Sequence, residues 1–397
     1  MKLLNVGILG LTKTAKIFAK QLLQASKEKD SFLKLVAMAD SYAEPYKIEG
    51  AIWSDREEQV LRASNIDIVI VCTEGLNNAF LQARTALEAG KHVVTNNQTL
   101  MAVHGQKLWR LAEDKAVNLR FEGALLGGVP IISSLFNSYG GSHISRVYGV
   151  LNGTCNYVLM RMKDTGCTLA EAISDAIELN YTEEDSDHDI TGKDSLYKLA
   201  ILKATAFGEW GDITKTKITG IKGVEPIDIQ LAQKFGCNIK LVASATANTI
   251  SVAPTLLEEF SQLGNTNGTL TGVIVESEHA GPVFMAGHGN DKDAVASALM
   301  SDAVSISLGK RLLKLRPKAP AIIEDKLSRF YLRLPVEGRD KIVKASHVRI
   351  IEEKYHESHN GSYIAYFVET GMKRHELAEF ASGDDYVTNT CVLNIER

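Results

Sequence analysis

The sequence predicts an α/β protein in three parts: a doubly wound parallel sheet, an α+β region, and a small ferredoxin-like tail. Three observations lead there. Strand and helix patterns alternate through the first 120 residues, the order that builds a parallel sheet through right-handed crossovers. The runs FLKLVAMAD (32–40) and IDIVIVCT (66–73) are continuously apolar and rich in β-branched residues, as strands covered on both faces should be. The last seventy residues read strand, helix, strand, strand, helix, strand, which is the ferredoxin-like order.

Each element has its own signal. LLNVGIL (3–9) reads as a buried strand, since no small-residue cleavage site follows it to make a signal peptide. AKIFAKQLLQASK (15–27) has helical apolar spacing, and NNAFLQARTALEAGKH (77–92) is an amphipathic helix ending at Gly90, before the strand HVVTN (92–96). From about residue 130 helices such as 169–180, 193–208 and 293–314 mix with strands at 146–152, 272–277 and 281–287. Pro317 and Pro320 mark a linker. The expected divisions are 1–128, 129–315 with its last helix returning to the first part, and 325–397.

With 397 residues, 45% hydrophobic and 23% charged, the chain has the composition of a globular protein of two or three domains. A net charge of −4 with both signs interspersed argues against nucleic acid or an anionic membrane as partner. No apolar run reaches the roughly 18 residues a membrane span needs. The five scattered cysteines lack a C-x-x-C pair, which suits a reducing cytoplasm.

Two stretches carry candidate chemistry. In a doubly wound sheet ligands sit at the carboxyl ends of the strands, here near GLTKT, Asp40, Thr73, and Thr95 with Asn97 and Gln98. The turn GLTKTA keeps Gly10 and Ala15 of a G-x-G-x-x-G/A nucleotide fingerprint but has Thr12 in the middle. Thr12 and Thr14 offer hydroxyls and Lys13 a cation at a helix N-terminus, a combination that suits phosphate. Asp40 is placed for a ribose hydroxyl. A Rossmann-type sheet without nucleotide would read the same way. The second stretch is YTEEDSDHDITGKDSLYK (181–198). Asp185, Asp187 and Asp189 have calcium-loop spacing, but Ile190 and Leu196 stand where glycine and glutamate are required. Asp194 and Lys198 lie i, i+4 on one helix face. They form either a surface ion pair beside an acidic loop, or a carboxylate anchor for a substrate ammonium with a lysine proton donor.

These stretches resemble the homoserine dehydrogenase family over roughly residues 1–315. VVTNNQTL is similar to the family's VVTANKALL, FEGALLGGVPII to YEAxVGGGIPII, and GVLNGTCNYVLMRM to GILNGTTNYILxxM. AIELNYTEEDSDHDITGKDSLYKLAIL is similar to AxxLGYAExDPxxDVxGxDAxxKLAIL. The resemblance implies reversible, NAD- or NADP-dependent interconversion of L-homoserine and L-aspartate 4-semialdehyde, towards threonine and methionine. It implies Lys198 as the catalytic proton carrier and Asp194 as its positioning partner. Glu183, Asp189, Tyr181, Gly153 and Thr154 would surround the small amino-acid substrate. It adds Gly287 and Gly289 to the cofactor side. A monovalent cation, Na or K, would sit on backbone oxygens of Glu122, Leu125, Gly127 and Val129. A homodimer or homotetramer is the implied assembly, and the tail resembles an ACT regulatory domain.

The departures cluster on the cofactor side. Thr12 replaces a glycine, Gln98 replaces the lysine of the family's N-K pair, and GHGNDKDAVASAL replaces GxGAGxxPTAsAV. In the tail, Asp340-Lys341-Ile342-Val343 replaces the P-G-V-L turn that usually helps hold an amino-acid effector. Threonine feedback and a purely structural tail are both open at this point. So are two alternatives to the dehydrogenase: a catalytically weak or inactive paralogue that binds an amino acid, and an oxidoreductase acting on a related amino-acid aldehyde. Asp40 favours NAD, whereas Lys13 and Lys47 would accommodate a 2′-phosphate.

Overall fold

Along the first 120 residues strands and helices alternate. They are β1 (Leu4–Leu9), α1 (Lys13–Ala25), β2 (Leu33–Ala39), β3 (Ile52–Ser54) and α2 (Glu58–Leu61). After these come β4 (Ile68–Val71), α3 (Leu76–Glu88), β5 (His92–Thr95), α4 (Gln98–Asp114) and β6 (Leu119–Arg120). The middle of the chain opens with α5 (Ile131–Asn137), β7 (Ile144–Val150), α6 (Gly153–Thr165), α7 (Leu169–Glu178), α8 (Asp187–Ile190) and α9 (Lys193–Phe207). It continues with α10 (Pro226–Lys234), β8 (Cys237–Ala245), β9 (Ile250–Glu258), β10 (Leu270–Ser277), β11 (Gly281–His288) and α11 (Lys292–Ser307). The tail holds β12 (Ser328–Pro335), α12 (Arg339–Val343), β13 (Val348–Ser358), β14 (Gly361–Thr370), α13 (Arg374–Ser382) and β15 (Cys391–Glu396). The computed structural model describes residues 3–27, 31–42, 45–48, 50–182, 186–211, 213–214, 216, 218–309, 328–358, 361–382 and 391–396. The proposed linker at Pro317 and Pro320 lies outside the described residues.

Contacts divide the chain into two units. The first comprises 1–147, 197–215 and 275–319, the second 148–196, 216–274 and 320–397. The division falls inside α9, between Leu196 and Tyr197.

The first unit is built on the six-stranded sheet β3-β2-β1-β4-β5-β6, and its neighbouring strands are parallel. This is the doubly wound order, with the switch point between β1 and β4. All four residues of β4 are buried, which is why its sequence is an unbroken apolar run and not an alternation. α1 covers β1 with Ala15, Phe18, Ala19 and Leu22, a helical stripe with no exposure. Leu299 and Ala303 of α11 enter the same core, so a segment distant in sequence completes the sheet's cover. Each large apolar side chain buried here contributes about 1.5–3 kcal/mol.

A buried polar network links α11 to the segment after β6. Asp302 Oδ2 accepts from the Glu122 N–H at 2.8 Å. The Glu122 carboxylate in turn accepts at 2.8 Å from the N–H groups of Ile132 and Ser133, at the start of α5, and from the Ser133 hydroxyl. Burial, and then the Glu122 charge, push the Asp302 carboxyl up to about 8. Burial also raises Glu122 and lowers Arg120 from their ordinary values.

In the second unit the tail does not stand apart. β12 pairs antiparallel with β14 and β15, and β13 pairs antiparallel with β14, giving the ferredoxin-like order β15-β12-β14-β13. β15 then continues the sheet by pairing in parallel with β9. Within this unit the strands thus run β8-β9-β15-β12-β14-β13 in one mixed sheet. An ion pair fixes the junction: Arg333 of β12, 2% exposed, meets the fully buried Asp228 of α10 at 2.6 Å. Asp228 also accepts from the Tyr331 hydroxyl at 3.0 Å and from the Glu225 N–H at 3.0 Å.

Two outcomes follow from these buried charges. Arg333→Met leaves the Asp228 carboxylate buried without its cation, and should lower unfolding free energy in urea by about 3–5 kcal/mol; a loss near zero would show that Tyr331 and the backbone suffice. Asp302 stays protonated in the folded protein up to about pH 8, whereas the unfolded chain ionises it near pH 4. The folded state therefore holds the extra proton, and stability falls as pH rises through that window. Asp302→Asn should flatten this slope in urea titrations taken between pH 5 and pH 8.

Candidate active site

The first unit's candidate residues gather where the strands end. Gly10 has φ +81°, and a Cβ there would lie 2.5 Å from Thr73 Cα, so the turn accepts only glycine. Thr12 is not a bulky error in the fingerprint. It is the N-cap of α1, in extended conformation, with its hydroxyl accepting from the Ala15 N–H at 3.2 Å. Lys13 is exposed at the first helical position, and Thr14 is buried. Asp40 fixes the turn from the next strand: Oδ2 accepts from Leu11 N–H at 2.7 Å and Oδ1 from Tyr42 N–H at 2.9 Å. Thr73 Oγ1 is buried beside Gly10 with no hydrogen-bond partner among the described residues.

The next strand end is held internally. The Thr95 hydroxyl donates to Val71 O at 2.8 Å and accepts from the Asn97 N–H at 3.0 Å. Asn97 caps α4 through Leu100 N–H at 2.8 Å, and its amide donates to Thr73 O at 2.9 Å. Thr95 and Asn97 thus shape the strand ends and fix Thr73. Gln98 opens α4, half-buried.

The segment 122–129 and the loop after β11 meet. Gly128 N–H donates to His288 O at 3.2 Å, and a Cβ on Gly127 would lie 2.7 Å from Gly289 O. Gly287 is the penultimate residue of β11, 3.1 Å from Val129 by the same measure. Of the four carbonyls expected to hold a cation, those of Glu122 and Val129 already accept, from Leu125 N–H at 3.3 Å and Ile131 N–H at 2.7 Å. Each retains a second lone pair. The same loop carries Asn290, whose Oδ1 lies 3.4 Å from the Lys198 ammonium.

Lys198 is 1% exposed, so the surface ion pair envisaged from its spacing is replaced by a buried lysine one helical turn from Asp194. In the second unit, Asn152 donates both amide hydrogens to carboxylates, at 2.7 Å to Asp189 Oδ1 and 2.8 Å to Asp194 Oδ2. Its oxygen caps α6 by accepting from Cys155 N–H at 2.7 Å. Asp189 Oδ2 accepts from Thr182 at 3.1 Å. Gly153 and Thr154 belong to the first turn of α6, not to a free turn. A Cβ on Gly153 would lie 2.6 Å from Thr269 O, and the Thr154 hydroxyl donates to Tyr181 O at 3.2 Å. Tyr181 is 45% exposed and packs edge-on against Tyr157. Glu183 lies outside the described residues.

Sequence reasoning passed over Asn152 and Asn290. For Asn152 a signal existed, since asparagine directly before a helical run is an N-cap. For Asn290 none did, because its approach to Lys198 depends on the fold of a loop 92 residues away.

Comparison with known proteins covers most of the chain by sequence and nearly all of it by fold. Residues 130–304 match the homoserine dehydrogenase family model, and residues 4–120 match that of an oxidoreductase family with an NAD-binding Rossmann fold. The homoserine dehydrogenase of Lactococcus lactis is 32% identical over 69% of this chain and 67% of its own length. That of Neisseria gonorrhoeae is 32% identical over 77% and 73%. The crystal structure of the Thiobacillus denitrificans enzyme superposes with a TM-score of 0.86 at 25% identity, covering 99% of this chain and 98% of that one. With sequence and fold in agreement over this length, the chain belongs to the homoserine dehydrogenase family.

Proposed function

We propose that the chain oxidises L-homoserine to L-aspartate 4-semialdehyde, and reverses that reaction, with NAD(P) and with Lys198 as its proton carrier. The observation that carries this reading is the placing of Lys198: a lysine withdrawn from water on the same helix as Asp194, whose carboxylate is held by an amide. A protein that only bound an amino acid would need the carboxylates and Thr154, but not a buried lysine one turn along the helix from Asp194. That favours turnover over a binding paralogue.

The residues at the first sheet fit a dinucleotide. Gly10 brings the turn directly against Thr73, which offers a buried hydroxyl with no partner among the described residues. Lys13 and the first N–H groups of α1 suit a pyrophosphate, and Asp40 a ribose hydroxyl. When bound, NAD(P) supplies the hydride acceptor. Lys198 then acts at the substrate oxygen: as the neutral amine it takes the hydroxyl proton when homoserine becomes aldehyde, and as the resulting ammonium it returns that proton in the reverse direction. An ammonium there also stabilises the negative charge that builds on that oxygen, more strongly for being out of bulk water. Asp194 fixes the direction of the lysine side chain, while Asp189, Tyr181, Gly153 and Thr154 face the amino-acid end, where carboxylates suit an α-ammonium. Gln98, a neutral amide in place of the family's lysine, donates hydrogen bonds but supplies neither charge nor proton. Cys72, Cys155 and Cys237 are buried and in no disulfide among the described residues, which suits a reducing cytoplasm, and no described helix is long and apolar enough to cross a membrane.

Lys198→Met should reduce homoserine oxidation by about 10²–10⁴-fold while calorimetric NADH affinity stays at the wild-type value; retained turnover would remove the lysine from the mechanism. Asp40, pinned by two backbone N–H groups, presents an anion where a 2′-phosphate would sit. The wild type should therefore bind NADH more tightly than NADPH, and Asp40→Ser should narrow the ratio of the two dissociation constants by on the order of 10-fold.

A further inference from the structure

The structure assigns Asn152 as the positioning residue that holds Asp189 and Asp194 in register for the substrate ammonium. This rests on the proposed site but goes beyond it, since Asn152 is neither a proton carrier nor a member of the expected substrate shell.

The argument starts from charge. Two carboxylates brought near one another repel, and in a partly buried site one of them would protonate or turn away. A lysine or arginine between them would neutralise the pair and leave nothing to attract a substrate ammonium. Asn152 avoids both outcomes. Its amide group offers two hydrogens in a fixed plane, and each goes to a different carboxylate, at 2.7 and 2.8 Å. The bridge is neutral, so it adds no positive charge of its own to compete with the substrate ammonium. Asp189 Oδ2 is oriented in turn by the Thr182 hydroxyl, which donates to it at 3.1 Å.

The bridge works because Asn152 cannot move. It is fully buried, and its own oxygen is committed to the Cys155 N–H at the start of α6. That orientation sets the amide's nitrogen towards the carboxylates, because the oxygen is held by a backbone donor. The helix start is itself clamped. Gly153 packs against Thr269 O, and Asn156, one turn on, donates at 3.0 Å to Thr266 O and Leu270 O. Lys240 then donates to Asn156 Oδ1 at 2.8 Å and to Thr266 O at 2.6 Å, closing the clamp. One asparagine thereby couples the start of α6, the acidic α8 and the first turn of α9, which leads to Lys198. Aspartate or serine at this position would cap the helix equally well, so the capping role does not explain an asparagine. The two donated hydrogens do.

That difference supplies the experiment. Asn152→Ser and Asn152→Asp both keep the cap oxygen and lose the two amide donors, and serine adds no charge. Wild type and both variants are compared by calorimetric titration with NADH, by calorimetric titration with L-homoserine, and by steady-state homoserine oxidation. NADH affinity, read at the first unit, reports that each variant is folded. The expected result is unchanged NADH affinity, homoserine affinity weakened at least 10-fold, and kcat/KM reduced on the order of 100-fold through both KM and kcat. Wild-type homoserine affinity and kinetics in either folded variant would overturn the assignment and leave Asn152 as a helix cap. The binding arm separates this from the proposed activity. A wild type that binds homoserine without oxidising it, and loses that affinity in Asn152→Ser, would sink the dehydrogenase reading yet keep the positioning role. A wild type that binds no homoserine would overturn both.

Discussion

Withdrawing a lysine side chain from water costs far more than placing it on a surface, and the cost is tolerable only where acceptors are built around it. Lys198 sets that requirement, and much of the candidate site answers it. α9 supplies Asp194 one turn away, and the loop after β11 brings Asn290 to 3.4 Å. That loop is held in place by Gly127 and Gly128, and their segment is anchored through Glu122 to Asp302 of α11. The same helix that buries Leu299 and Ala303 against β1 and α1 thus also fixes the backbone facing the lysine. Packing and chemistry share one set of elements.

The parts of this that could be read in the sequence are those where local physics decides. The apolar runs of β1, β2 and β4 predict buried parallel strands, and the family motifs around 152 and 181–198 point to the amino-acid end. Gly10 is legible because only glycine reaches its φ without a clash against Thr73. Thr12 is half legible: the missing glycine shows in the sequence, whereas its service as a cap for α1 depends on the turn's backbone path. Asn152 is visible as a cap but not as a bridge, because its two carboxylate partners lie 37 and 42 residues further on.

What the sequence hides are pairings between distant segments. Nothing local in LRLP announces that Arg333 will meet an aspartate 105 residues earlier. The expectation of a tail apart from the middle region rested on its βαββαβ order, and that order is present. Its outer strand, however, completes a sheet begun at β8 and β9. A period-two pattern defines a strand's faces but carries no information about which edge it will join.

That outer strand gives the chain a timing. β15 lies in the sheet between β9 and β12, and Asn394 is paired with Thr255, some 140 residues upstream. While the ribosome is still making residues 340–390, β9 presents an open edge with nothing to pair it, and β12 presents another. The first unit's sheet has all its strands much earlier, lacking only α11. The two units are therefore expected to mature in sequence. The second passes through a state with two exposed strand edges, the kind of surface that recruits chaperones or neighbouring chains during synthesis.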